Sequence, residues 1–175
     1  MEMILQDIQR ALDAGASYAA LAATVTLPEV CGRCEQSDLF STKGENRGER
    51  VFQRFVETYL PDWDIGLDGT DLYYMRNGLS HRGQTTQRNK PLRYVFSPPN
   101  TDNFVHNNKG FVDEEMQTLQ IDLRKFCNDI SDAVRRWEQS NADNPIVQEN
   151  LEDVLKTREG SFGTGIYIEG AHWVA

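Results

Sequence analysis

The sequence predicts a mainly α fold, a helical bundle with a small β-hairpin appendage, formed as one domain over residues 1–175. Two observations carry the helices: apolar residues recur at steps of three and four along several stretches, and proline or glycine punctuates those stretches. A third carries the appendage, because the β-branched and aromatic runs in LRYVF and NFVHNNKGFV are short and set between polar segments. A chain of this length folds most simply as one unit, whose core hides roughly 70% of the surface the open chain exposes. No internal repeat, low-complexity tract or linker divides it.

The elements follow in order. MILQDIQRALDAGASYAALAATV places Ile4, Ile8 and Leu12, then Tyr18, Leu21, Ala22 and Val25, at helical spacing, so it is one helix broken near Gly15 or two helices. LPEVCG brings Pro28 and Gly32, and DLFSTKGENRG is polar and glycine-bearing, so Leu27 to Gly48 reads as mostly loop. ERVFQRFVETYL is amphipathic, with Val51, Phe52, Phe55, Val56, Tyr59 and Leu60 on one broad face, and Pro61 stops it. The next helix begins near DGTDLYY, capped by Thr70 or Asp71, and runs to Gly83. QTTQRNKP reads as loop, LRYVF as a strand, and NFVHNNKGFV as a hairpin turning at Asn107 to Gly110. Met116, Leu119, Leu123, Phe126, Cys127, Ile130, Val134 and Trp137 then predict one long helix over DEEMQTLQIDLRKFCNDISDAVRRWEQ. A shorter helix is expected around ENLEDVLK, and the glycine- and aromatic-rich tail is irregular with one strand.

Composition narrows the class. Hydrophobic residues make up 39% and aromatic residues 10%, which is globular rather than disordered composition. No apolar run approaches the roughly 20 residues of a membrane span, and MEMILQDIQR has no basic segment ahead of a long apolar one. The expectation is a cytoplasmic protein with no membrane partner. Three cysteines cannot all pair within one chain, so reduced thiols are the default. Cys31 and Cys34 form a C-x-x-C, but Cys127 stands alone and neither His106 nor His172 supplies the other half of a zinc site. No metal and no cofactor are expected. The net charge is −9, yet Leu72 to Gly110 holds six cations against the single acid Asp102, a local +5 that leaves −14 for the rest. A phosphate-contacting surface gives that distribution, as does a basic loop packed on an acidic helix of the same chain.

Within the basic window, RNGLSHRG gathers Arg76, Asn77, Ser80, His81 and Arg82 in the last turns of a helix. By composition an Arg followed four to six residues later by a His arises about 0.7 times in this chain, and requiring Asn directly after the Arg at one spacing lowers that to about 0.01. Asn77 and His81 are i and i+4, sharing a face, while Arg76 and Ser80 form the adjacent stripe. Arg76 and His81 stand about 140° apart around an ideal helix, so a second copy across a twofold axis would bring them together better than one copy does. Such a groove suits phosphodiester cleavage: histidine takes a proton from a ribose 2′-hydroxyl or gives one to the leaving 5′-oxygen, and arginine forks onto the phosphate. Ser80, Arg82, Arg88 and Lys90 are the expected substrate-binding residues. One carboxylate in the window is too few for a magnesium site. His106 and His172 read as solvated or structurally bonded, and Trp63, Tyr73, Tyr74 and Trp137 as core or dimer contacts, Trp137 as core.

ERVFQRFVETYLPDW followed by DLYYMRNGLSHRG resembles the HEPN superfamily, helical domains whose catalytic members carry Arg, four to six residues, then His, often with Asn after the Arg. LPEVCG is also similar to small bacterial proteins of this kind, and the resemblance covers Leu27 to Gly83. It implies a metal-independent ribonuclease at a homodimer groove, of the toxin, CRISPR-linked or anti-phage type, in which Arg76 holds phosphate, His81 is the acid or base and Asn77 orients the site. The chain lacks the Tyr shortly after the His found in members paired with an antitoxin, which leaves open whether an antitoxin or regulatory protein is its partner. Noncatalytic members imply the alternative, a module that binds RNA or a protein partner.

Overall fold

The computed structural model describes residues 1–35, 47–85, 92–99, 101, 106–111, 117–154, 157–159 and 172–174. Among them are six helices: α1 (Glu2–Asp13), α2 (Ser17–Cys34), α3 (Arg47–Tyr59), α4 (Gly69–Arg82), α5 (Leu123–Ser140) and α6 (Pro145–Glu152). Five short strands accompany them: β1 (Leu92–Ser97), β2 (Asn108–Phe111), β3 (Gln117–Asp122), β4 (Thr157–Glu159) and β5 (His172–Val174). The architecture is the helical bundle with a small β element that the periodicity predicts. No described helix is long and apolar enough to cross a membrane.

The break near Gly15 separates two helices, with Gly15 at φ +72° in the turn. Beyond Val25 the expectation fails. Leu27 to Cys34 is not loop but the last two turns of α2, with Pro28 inside the helix. The missing N–H of proline costs a helix about 3 kcal/mol, but Leu27, Pro28, Cys31, Gly32 and Cys34 are all buried, and the packing of that stretch outweighs the lost bond. Residues 36–46 of the same expected loop lie outside the described residues.

Amphipathic α3 forms as expected and buries Val51, Phe52, Phe55 and Val56. It lies so close to the start of α4 that a Cβ on Gly69 would stand 2.3 Å from Gln53 Cα and 2.6 Å from the Phe52 carbonyl carbon. Only glycine permits that approach. The cap of α4 is neither Thr70 nor Asp71 but Asp68: its carboxylate accepts from Asp71 N–H at 2.8 Å, and Asp71 accepts in return from Asp68 N–H at 3.3 Å. This reciprocal box satisfies two of the helix's first free donors, which a cap at Thr70 or Asp71 would leave open.

In the three-stranded sheet β3 is central, parallel to β1 and antiparallel to β2. The hairpin turn at Asn107 to Gly110 is instead the start of β2: Asn107 alone sits at φ +54°, and Asn108, Lys109 and Gly110 pair with Gln120, Leu119 and Thr118. The long helix begins at Leu123, because Gln117–Asp122 is strand. Leu119 and Ile121 alternate into the core at strand period, and Asp122 caps α5 by accepting from Lys125 N–H at 2.9 Å. The helix expected around ENLEDVLK starts earlier, at Pro145, with Asn144 as its cap. β4, just ahead of the glycine- and aromatic-rich tail, pairs antiparallel with β5, the strand described within that tail.

The core joins α1, α2, α3, α4 and α5 with the inner face of the sheet, and Trp137, Tyr94, Phe52 and Phe126 are its largest buried side chains. The Tyr94 hydroxyl donates to Asp71 Oδ1 at 2.8 Å in the interior, tying β1 to the first turn of α4. Trp137 Nε1–H donates to Glu35 at 2.6 Å, and Asn150 donates to the Cys34 carbonyl at 2.8 Å, fixing the end of α2 against α5 and α6. The helix that carries the motif is therefore anchored at its first turn by a cap, a close helix contact and a strand.

Candidate functional site

Leu72, Met75 and Leu79 recur at steps of three and four and bury one face of α4. That burial fixes the rotation of the helix and turns Ser80, His81 and Arg82 outward, all exposed. Gly83, at φ +63°, ends the helix in the left-handed conformation, with its N–H on the Leu79 carbonyl at 3.1 Å and Gln84 N–H on the Gly78 carbonyl at 3.2 Å. Tyr18, 60% exposed at the start of α2, donates its hydroxyl to the same Leu79 carbonyl at 3.3 Å. The last turn of α4 is thus closed by its own chain and by α2. The His81 imidazole makes no hydrogen bond or ion pair with any described residue.

Arg76 lies one turn back and is engaged. Its Nη1 donates to Asn77 Oδ1 at 2.9 Å, and its Nη2 meets Glu29 Oε2 at 2.6 Å. Glu29, on α2, also accepts on Oε1 from Arg33 Nε at 3.2 Å and Nη2 at 2.9 Å. One carboxylate therefore bridges two guanidinium groups, with the Arg76 side chain 27% and the Glu29 side chain 19% exposed. Arg76 Nε is buried with no hydrogen-bond partner among the described residues. An unmet buried donor costs about 1–3 kcal/mol, so Glu29 satisfies Arg76 only in part.

The structure brings Arg76 and Asn77 into direct contact and leaves His81 open to solvent on the next turn, with Ser80 and Arg82 beside it. Arg88 and Lys90 lie outside the described residues. Reading the sequence did not find Glu29 or Tyr18. Glu29 lies in a stretch whose proline and glycine read as loop, and neither residue has a local pattern that points at α4.

Other chemistry-bearing residues have structural positions. His106 Nδ1 accepts from Asp122 N–H at 3.1 Å and holds the junction of β3 and α5. Trp63 Nε1–H donates to Asp129 at 3.1 Å, and Tyr73 packs its edge on Phe52 at a centroid distance of 5.7 Å. Cys31, Cys34 and Cys127 are buried free thiols. Burial pushes the Cys127 thiol up to about 11. Cys31 is driven well above the ordinary thiol range, first by burial and then by neighbouring Cys34, and burial also raises Cys34. Such thiols are protonated packing groups at neutral pH. Among the described residues no group of three or more His, Cys, Asp or Glu gathers around a cation-sized space.

A cavity of about 570 Å³ lies elsewhere, between Thr58–Asp64 and the outer face of α5. Its polar groups are largely tied to one another: Lys125 to Asp64 and Asp129, and Arg136 twice to the Tyr59 carbonyl. The Lys125 ammonium is held above its usual range first by its hydrogen bond to Asp129. No motif residue lines this cavity. Comparisons with protein-family models, curated proteins and solved structures give no match to this chain.

Proposed function

We propose that the chain is a HEPN-like, metal-independent endoribonuclease that works as a homodimer, with Arg76, Asn77 and His81 from each copy facing one groove. The observation that carries this reading is the position of His81. The imidazole is exposed and makes no hydrogen bond or ion pair among the described residues, and the buried face, cap and C-terminal turn of its helix are formed by other residues. Ser80, Arg82 and Tyr74 are exposed on the same helix, which suits a strand of RNA or a second α4 laid against it.

In the proposed reaction one His81 takes the proton of a ribose 2′-hydroxyl, and the 2′-oxygen attacks the adjacent phosphorus. The bond from phosphorus to the 5′-oxygen breaks, and the second copy's imidazolium protonates that oxygen. The products are a 2′,3′-cyclic phosphate and a 5′-hydroxyl. Arg76 meets the charge that accumulates on the phosphate oxygens, and Asn77 holds the guanidinium in place through its side-chain oxygen.

The test is cleavage of a panel of single-stranded and structured RNAs in EDTA. The wild type is expected to cut. His81→Ala is expected to stay folded and to bind RNA about as well without cutting, and Arg76→Ala to lose cleavage and some binding. Unchanged turnover in His81→Ala, or no turnover by the wild type, removes the enzyme reading. The engagement of Arg76 by Glu29 favours a second reading, a noncatalytic module that binds RNA or a regulatory protein through the same surface. Binding by a wild type that never cuts would select it.

A further inference from the structure

The contact between Arg76 and Glu29 is close, but it is incomplete in two respects. A guanidinium reaches its strongest pairing when two adjacent N–H groups fork onto two oxygens of one anion. Here only Nη2 touches Glu29 Oε2, at 2.6 Å, while Nε stays buried and unmet among the described residues. The other carboxylate oxygen is already committed, because Arg33 forks onto Oε1 with Nε at 3.2 Å and Nη2 at 2.9 Å. Glu29 thus has two hydrogen bonds from Arg33 on its own helix, one turn away, and only a single contact with Arg76 across the gap to α4. Leaving Arg76 does not leave the carboxylate unpaired.

We infer that the Glu29 carboxylate is an internal occupant of the phosphate seat on Arg76, and that a phosphodiester binds by displacing it while Glu29 keeps its pairing with Arg33. The inference rests on the proposed function for the identity of the anion. A phosphodiester carries the same single charge as the carboxylate and offers two oxygens at the spacing a guanidinium fork accepts, so it can take the unmet Nε together with Nη2. Glu29 is then the residue that sets how tightly Arg76 holds RNA. Its negative charge weakens the binding of any anion that makes too few other contacts to compete, which favours a strand carrying several phosphates over a lone one.

The experiment measures the affinity of a single-stranded RNA oligonucleotide, 2′-O-methylated at every position and so uncleavable, by fluorescence anisotropy at one fixed salt concentration. Glu29→Gln is expected to bind it about tenfold more tightly than the wild type. The gain is expected to disappear in Glu29→Gln with Arg76→Ala. Asp143→Asn, which removes one exposed acid from the turn after α5, is expected to reproduce little of it. Should Glu29→Gln fail to fold, Glu29→Ala removes the carboxylate without leaving an amide between the two arginines and is read in the same way. Equal or weaker binding by the Glu29 variants, or a gain that survives Arg76→Ala, overturns the inference. A wild type that cuts RNA alongside Glu29 variants with no gain overturns the inference alone. A gain that depends on Arg76, in a protein that never cuts, upholds it and removes only the catalytic reading.

Discussion

Gly69→Ala tests how rigidly the motif helix is seated. The new Cβ would lie 2.3 Å from Gln53 Cα, 2.4 Å from Gln53 N and 2.6 Å from the Phe52 carbonyl carbon, all backbone atoms of α3. Cβ contacts under 3.0 Å are essentially never seen, so the two helices must separate by about 0.7 Å or more. No side chain can rotate to relieve the clash. Overpacking of this kind costs roughly 1–3 kcal/mol and sometimes more, against at most about 1 kcal/mol gained from alanine's better helix propensity. A net loss of about 2 kcal/mol lowers the melting temperature by roughly 4–8 °C in a chain of this size. Gly83→Ala is the contrast, because its Cβ would meet nothing within 4 Å and the substitution suffers only from φ +63°. Its expected cost is about 1 kcal/mol, and Gly83→Asn should recover part of it. Thermal unfolding by circular dichroism reads all three variants. A Gly69→Ala protein as stable as the wild type would refute the close approach of α3 and α4, and with it the fixed placement of Arg76.

Two further outcomes follow from buried groups. Tyr94→Phe removes the interior hydrogen bond to Asp71 Oδ1 at 2.8 Å and is expected to lower the urea midpoint at unchanged slope, by about 1–3 kcal/mol in stability. The Cys127 thiol, raised from 9.0 to about 11, holds its proton in the folded chain at pH values where the unfolded chain loses it. Its contribution is therefore fully present below pH 9 and lost as pH rises from about 9 to 11, roughly 2–3 kcal/mol in all, and Cys127→Ala should show a shallower fall in a urea titration across that window.

What the sequence made legible was local. Leu72, Met75 and Leu79 on one face, with Gly83 after them, were enough to put Arg76, Asn77 and His81 on the last turns of a helix, and they stand there. The cap is not legible in sequence because DGTD offers several oxygens within four residues, and only the reciprocal bond between Asp68 and Asp71 selects one. The start of α5 was misplaced because Leu119 and Leu123 fit a helical step while Leu119 and Ile121 fit a strand, and the partner strands that decide it lie elsewhere in the chain. Pro28 hid the end of α2 for a related reason: a proline inside a helix is tolerated only when packing outweighs it, and packing is a property of the whole core. The partner of Arg76 went with it, since Glu29 follows Pro28 directly. Geometry across helices, unlike period within them, left no mark in the order of residues.

The place of the motif sets an electrostatic problem that bears on copy number. Anions usually bind at helix N-termini, where free N–H groups and the dipole favour them, whereas His81 and Arg82 stand in the last turn of α4, at the end carrying about −0.5 of a charge. Phosphate held there depends on side-chain cations. In one copy Arg76 is partly neutralised by Glu29, which leaves exposed Arg82 as the nearest cation without a carboxylate partner among the described residues. A second α4 across a twofold axis doubles that supply without adding to the chain. Salt dependence counts the copies. For single strands the slope of log K against log salt is about −0.7 per neutralised phosphate, so Arg82→Ala should flatten it by about 0.7 if one copy contacts the strand and about 1.4 if two do. RNA binding measured from low to moderate salt, with sedimentation confirming the assembly at the same concentrations, separates the two. A slope unchanged by Arg82→Ala would take this end of α4 away from the RNA altogether.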